Sequence, residues 1–168
     1  QQRDLEAQQR AGEWRQIATP LAPGRRVGLM GLGVLGSDAA QALTALRFNV
    51  ASWTRTLREV PGVTGFHGAE GFDAFLARSE ILVALLPLTD ATRGILSNDL
   101  FARLPKGAGL INAGRGGLQV EEDIIAALDS GQLSEAVLDV FSTEPLPTEN
   151  PLWHHPKVTL TPHNAALT

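Results

Sequence analysis

Glycines at 31, 33 and 36, placed directly after the apolar run Val27-Gly28-Leu29-Met30, constrain this chain more than any other feature. The G-x-G-x-x-G spacing is followed by apolar residues at helical intervals, Ala39, Ala40, Leu43 and Leu46. A strand that turns sharply into a helix needs each glycine for a different reason. Gly31 permits the tight turn, Gly33 lets backbone approach a pyrophosphate, and Gly36 lets the helix lie close to the strand. The free N–H groups of the first helical turn, around Val34 and Leu35, then face an anion. A bare tight turn is the plain alternative; the strand-turn-helix context favours a dinucleotide site.

Downstream, strands and helices alternate. Asn49–Trp53 reads as a second strand and 63–66 as a short third, followed by a helix over 71–77. Ile81-Leu82-Val83-Ala84-Leu85-Leu86 is a continuous apolar run of strand length, as expected of a central parallel strand covered on both faces. A helix is predicted over 98–104, a strand over 110–112, a helix over 120–128 with an acidic first turn, and strands over 136–141 and 158–160. Alternation of this kind predicts an α/β, doubly wound, mostly parallel sheet with helices on both faces, a Rossmann-type fold. Residues 1–16 are polar and helix-prone, with Gly12 a weak point, and Thr19 to Gly24 form a turn-rich linker. We therefore divide the chain into an N-terminal helix and linker from a preceding domain (1–23) and a dinucleotide-binding domain (24–168). It begins at Gln1 without an initiator Met and stops at Thr168, so we expect a segment of a larger, two-domain polypeptide.

A chain of 168 residues, 43% apolar, can bury one proper core. The net charge of -4 and the lack of any basic run argue against a nucleic-acid surface. No apolar stretch approaches the length of a membrane span. Cysteine is absent, which excludes disulfides and thiolate chemistry. Cytoplasmic localisation is the expectation.

The position that carries an acidic residue in NAD-binding units lies about 20 residues beyond the first glycines. Here that neighbourhood reads Ser52-Trp53-Thr54-Arg55, with Arg58 following. A carboxylate would repel a 2′-phosphate, whereas a hydroxyl and a guanidinium can bind one. NADPH is therefore expected over NADH; the plain alternative is that Arg55 and Arg58 are ordinary solvated loop residues. Three ionisable residues follow strand ends on the cofactor edge: Arg115, Glu144 and His163. An arginine grips a carboxylate bidentately, a histidine hands a proton to a carbonyl, and a glutamate beside the histidine favours the charged imidazole. Each alone reads as an ordinary loop residue; their joint placement points to reduction of a 2-oxo acid.

An ordered set of motifs then identifies a family. It runs through Gly31-Leu32-Gly33-Val34-Leu35-Gly36, Leu86-Pro87-Leu88-Thr89 with Thr92, and Ile111-Asn112-Ala113-Gly114-Arg115-Gly116. It continues through Leu138-Asp139-Val140-Phe141, Glu144-Pro145-Leu146-Pro147, Pro151-Leu152-Trp153 and Thr161-Pro162-His163. The chain resembles the nucleotide-binding domain of the D-isomer-specific 2-hydroxyacid dehydrogenases, closest to the glyoxylate/hydroxypyruvate reductase A group. The resemblance implies that Arg115 holds the substrate carboxylate, that His163 is the acid/base and that Glu144 is its partner. It implies that Asp139 meets the nicotinamide carboxamide and that Leu88 and Thr92 lie along the cofactor's phosphates and ribose. Leu86, Pro87, Asn112, Ala113 and Gly114 belong to the matched cofactor-side motifs, Trp153 to an aromatic near the active site, and the Trp53-Thr54-Arg55 region to an NADPH-preferring branch.

Two positions depart from the pattern. Gly114 stands where alanine is usual, which is expected to loosen its loop, and Asn164 follows His163 where a small or apolar residue is commoner. By the same resemblance, a small substrate domain and a C-terminal return segment are absent, no metal is required, and a homodimer forms through this domain. Two alternatives stay open: an NADH-dependent phosphoglycerate- or lactate-type dehydrogenase, and a non-catalytic cofactor-sensing module of the same fold.

Overall fold

The computed structural model describes residues 2–18 and 20–165, with side chains from Leu5 onward; the expectations at Gln1, Thr19 and Thr168 lie outside the described residues. Seven strands form one sheet: β1 (Arg26–Met30), β2 (Asn49–Thr54), β3 (Thr64–His67), β4 (Ile81–Ala84), β5 (Ala108–Asn112), β6 (Leu133–Leu138) and β7 (Val158–Leu160). Their order is β3-β2-β1-β4-β5-β6-β7 and every neighbouring pair is parallel. The mostly parallel sheet expected is thus wholly parallel among the described residues. Parallel neighbours need crossovers: α2 (Val34–Ala45) joins β1 to β2, α4 (Asn98–Phe101) β4 to β5 and α5 (Glu121–Asp129) β5 to β6, while α3 (Phe72–Arg78) carries the chain from β3 to β4.

Strand order reverses between β1 and β4, which opens a crevice beyond their carboxyl ends. Val27, Leu29, Ala40 and Val50 form a compact cluster against α2, while Phe75, Leu82, Phe101, Leu110, Ile124 and Leu128 anchor a larger one. Both are buried, and close packing of buried side chains holds the strand ends at fixed spacing.

Several boundaries differ from the sequence expectation: α4 ends at Phe101 rather than 104, and β5 starts at Ala108 rather than 110. The N-terminal helix, α1 (Gln2–Ala11), stops at Gly12, whose φ of 67° lets Glu13 N–H reach the Gln8 carbonyl at 2.9 Å. Strand β4 ends at Ala84 rather than Leu86, just ahead of Pro87, which has no N–H to continue a ladder. Strand β6 runs over Leu133–Leu138 rather than 136–141. Val140 and Phe141 leave the sheet because side chains take their backbone groups: Gln119 Nε2 donates to the Val140 carbonyl, and Phe141 N–H donates to Glu144.

Candidate active site

At the β1–α2 turn Gly31 and Gly36 occupy the structural roles their spacing predicts. Gly31 has φ of 104°, a left-handed value that disfavours any side chain. A Cβ on Gly36 would stand 2.2 Å from the Gly31 carbonyl oxygen, so only glycine allows the helix to start this close to the strand. A Cβ on Gly33 would meet nothing within 4 Å. The space in front of Gly33 is open, and beside it Val34 is 90% exposed and Leu35 54% exposed at the start of α2. Apolar side chains standing in water at a helix N-terminus, around an open glycine, fit a dinucleotide laid across the turn.

On β2 the predicted cofactor residues divide. Trp53 Nε1 donates to the Gly68 carbonyl at 2.8 Å and its ring packs on Phe72 at 4.6 Å. Thr54 is buried, with its hydroxyl donating to the Thr56 carbonyl at 2.7 Å. Both side chains serve the loop's shape. Arg55 is exposed and, among the described residues, makes no hydrogen bond or ion pair. Arg58 Nη1 donates to the Leu32 carbonyl at 2.9 Å, which ties this loop to the glycine turn.

The loop after β4 is held by Thr92, whose hydroxyl donates to the Pro87 carbonyl at 2.7 Å and accepts from Thr89 N–H at 2.8 Å. Leu86 is buried, so it offers a ligand only backbone, whereas Pro87 and Leu88 are exposed on the rim. Asn112 is fully buried, and its side chain is spent on holding the loop that follows β5. Its Oδ1 accepts from Gly114 N–H at 3.1 Å, and its Nδ2 donates to the Arg115 carbonyl at 3.2 Å and to Gln119 Oε1 at 2.8 Å. Gly114 does not loosen this loop, as its missing methyl suggested. A Cβ there would stand 2.9 Å from Leu118 Cδ1 and 3.1 Å from the Leu86 carbonyl oxygen, so the backbone has closed into the space. Ala113, between them, is half-buried.

Beyond β6 and β7 the ionisable groups gather. His163 Nδ1 lies 2.7 Å from Glu144 Oε2. Glu144 Oε1 accepts from Phe141 N–H at 2.9 Å. The His163 hydrogen bond and the Phe141 N–H together hold the Glu144 carboxyl below its ordinary value. His163 adopts φ of 51°, a left-handed conformation costing about 1–3 kcal/mol in a residue with a side chain. Asp139, 4% exposed, offsets that cost. Its Oδ1 accepts from the Thr161 hydroxyl at 2.5 Å and from Asn164 N–H at 3.1 Å, and its Oδ2 accepts from Ala165 N–H at 2.9 Å. Burial pushes the Asp139 carboxyl up, but these three bonds overcome it and hold the group below its ordinary value. The Asn164 side chain is exposed, and its backbone is what the turn uses.

Arg115 is exposed on the next strand end, where Nη1 donates to the Gly114 carbonyl at 2.6 Å. Among the described residues it forms no ion pair, so its guanidinium stays available to an external carboxylate. Its loop is pressed against the other arm: a Cβ on Gly116 would lie 1.8 Å from the Phe141 carbonyl oxygen. Phe141, Glu144, Leu146, Trp153, Leu160 and His163 line a cleft of about 640 Å³, and Trp153 Nε1 donates to the Pro147 carbonyl at 2.9 Å. Glu121 pins the outer loop, accepting from Ser142 N–H at 3.2 Å and from Asn150 Nδ2 at 2.8 Å. The hydrogen-bonding roles of Glu121 and Thr161 are not legible in the sequence, where Glu121 reads only as part of an acidic first helical turn and Thr161 only as part of Thr161-Pro162-His163. Gln119 alone hints at its role, as an amide inside the apolar stretch Leu118-Gln119-Val120. No group of three or more His, Cys, Asp or Glu side chains is placed to hold a metal among the described residues.

The depressed carboxyls predict a pH effect. A lowered folded-state value means the stabilisation is whole above the ordinary values of 4.5 for Glu144 and 3.8 for Asp139, and is lost as pH falls through the lower folded-state values. Thermal melts between pH 6 and about pH 2 should therefore show a falling midpoint below about pH 4.5, with a shallower fall in Glu144→Gln. An identical slope in that variant would remove Glu144 from the account.

The family of the D-isomer specific 2-hydroxyacid dehydrogenase, NAD binding domain, matches residues 1–165. Among solved structures, the chain is similar to an NADPH-dependent glyoxylate/hydroxypyruvate reductase from Sinorhizobium meliloti in complex with NADP and sulfate. Identity is 49% and the TM-score 0.93, over 96% of this chain and 52% of that one. A probable 2-hydroxyacid dehydrogenase from Rhizobium etli CFN 42, in complex with NADP, HEPES and L(+)-tartaric acid, is 44% identical with a TM-score of 0.95, over 99% and 54%. A phosphoglycerate dehydrogenase from Lactobacillus plantarum is 33% identical with a TM-score of 0.89, over 96% and 53%. The chain thus spans about half the length of each.

Proposed function

The chain belongs to the D-isomer specific 2-hydroxyacid dehydrogenases, through their NAD-binding domain, and from that membership we propose that the whole enzyme reduces a small 2-oxo acid, glyoxylate or hydroxypyruvate, with NADPH. The observation that carries the reading is the Glu144–His163 pair, 2.7 Å apart, on the sheet edge that also bears the open glycine turn. NADPH, when bound, supplies the hydride. Arg115 grips the substrate carboxylate and orients its carbonyl. Glu144 holds the Nδ1 side of the imidazole, which leaves Nε2 as the nitrogen that gives a proton to the carbonyl oxygen. Asp139 fixes the turn that carries His163 and keeps a lone pair on Oδ2 for the carboxamide. Leu146, Trp153 and Leu160 exclude water from one wall of the cleft.

Cofactor choice rests on Arg55, the free guanidinium of the β2 loop, and on relatives solved with NADP. Arg55→Ala is expected to raise KM for NADPH about tenfold or more and to leave KM for NADH within about twofold, since only the phosphorylated ribose meets the guanidinium. A kinetic panel of 2-oxo acids with both reduced cofactors tests the whole reading. A preference for NADH would favour the phosphoglycerate-type alternative, to which the 33%-identical relative points. Gly33→Ala separates folding from binding. Its methyl meets no protein atom within 4 Å, so the thermal midpoint should hold while NADPH affinity, read by nucleotide fluorescence, falls at least about tenfold.

The same reading places residues 1–23 with a neighbouring domain, pairs two such domains in a homodimer, and puts the enzyme in the cytoplasm. No helix among the described residues is long and apolar enough to cross a membrane.

A further inference from the structure

We propose that Gln119 is a positioning residue for the acid/base pair, tying the Arg115 loop to Glu144 through the peptide that joins Val140 to Phe141. The proposal rests on the reading of His163 as the proton donor. Gln119 is 5% exposed and lies on no strand, but its backbone bridges Leu96. Its Oε1 accepts from Asn112 Nδ2 at 2.8 Å, and the same Asn112 nitrogen donates to the Arg115 carbonyl at 3.2 Å. Its Nε2 donates to the Val140 carbonyl at 3.1 Å. The order of these partners dictates the amide's orientation, because a flip would set N–H against N–H and oxygen against oxygen.

The Val140 carbonyl and the Phe141 N–H are two ends of one rigid peptide plane. Gln119 therefore grips one end of the plane whose other end donates to Glu144 Oε1 at 2.9 Å, and Glu144 Oε2 in turn holds His163 Nδ1 at 2.7 Å. Hydrogen bonds aligned in series strengthen one another in a buried setting. Without the Gln119 donor, the Val140 carbonyl has no reason to keep its direction. The Phe141 N–H then loses its aim at Glu144. The Arg115 loop and the imidazole would also cease to be referenced to one another. A second possibility is that Gln119 merely fills space between the Leu96 bridge and the end of β6.

Gln119→Met keeps the volume and removes both amide functions. The decisive readout is the Glu144 carboxyl, followed by carbon NMR across pH in the folded protein; the ionisable groups around it, His163 and the more distant Asp139, are unchanged. The proposal expects the Glu144 midpoint to rise by about half a pH unit or more as the Phe141 bond weakens. In the whole enzyme, kcat should fall about tenfold with KM for NADPH unchanged. A lowered melting temperature with an unmoved Glu144 titration and unmoved kcat would mean that Gln119 only packs, and would overturn the proposal. If Gln119→Met does not fold, hydrogen exchange of the Gln119 side-chain amide in the unaltered protein decides. Protection is expected, and exchange at the solvent rate would overturn the relay. A shifted Glu144 titration in a whole enzyme that reduces no 2-oxo acid would uphold the relay and sink the reductase reading instead.

Discussion

Replacing His163 with alanine is expected to lower kcat for 2-oxo acid reduction about 10²–10⁴-fold and to leave NADPH affinity within about twofold. Two features of the geometry make the effect this large. The imidazole is the ionisable group on the cleft wall whose second nitrogen is already committed, with Nδ1 at 2.7 Å from Glu144. Glu144 is in turn committed to Phe141 N–H, so it cannot swing forward to replace the lost acid. The nucleotide site is built separately at the glycine turn, which is why binding should survive. Stopped-flow hydride transfer and equilibrium NADPH titration in the whole enzyme measure the two halves. Activity within about tenfold of the unaltered enzyme would remove His163 from the acid/base role. Glu144→Gln should give an intermediate loss, since the amide still meets the ring but no longer carries the charge that balances imidazolium.

Gly116→Ala is expected to be the most damaging single methyl in the chain. The added carbon would lie 1.8 Å from the Phe141 carbonyl oxygen, 2.0 Å from its carbon and 2.6 Å from Ser142 nitrogen. All three are backbone atoms, so relief requires moving one loop away from the other. Overpacking of this kind costs about 1–3 kcal/mol or more, which for a chain of this size lowers the melting temperature by roughly 2–4 °C per kcal/mol. The same displacement parts Arg115 from the Glu144–His163 pair, so kcat/KM for the oxo acid should fall about a hundredfold or more even in the folded fraction. Gly117→Ala is the control. Its methyl would meet Leu88 Cδ2 at 2.8 Å, the far end of a flexible side chain that can turn aside. Equal losses at 116 and 117 would show that the loop tolerates no side chain anywhere, and the contact between the two arms would lose its special standing.

Much of this was readable residue by residue. The glycine turn could be derived from spacing because a positive φ at Gly31 and the closeness of Gly36 to Gly31 are consequences of local chain geometry. The alternation of elements survived with boundary shifts at Gly12, Ala84 and Leu138. Trp53 and Thr54 spend their polar atoms on Gly68 and Thr56, whereas Arg55 makes no hydrogen bond or ion pair among the described residues. Asn112 spends its side chain in the same way, because a motif match says which residue occupies a position, and not which way its side chain faces.

What the sequence alone determined, then, is a Rossmann-type strand-turn-helix, its glycine turn, and a short inventory of a guanidinium, a carboxylate and an imidazole. These follow from properties a residue carries with it: allowed dihedrals, charge and proton affinity. Only the tertiary structure decided that Glu144 takes Phe141 N–H with one oxygen and His163 with the other, that Asp139 anchors the His163 turn, and that Gln119 reaches Val140 across 21 residues of chain. Such partners are chosen by the parallel register that sets the ends of β5, β6 and β7 side by side. Register is a collective outcome of core packing across the whole sheet, so no single stretch of sequence contains it.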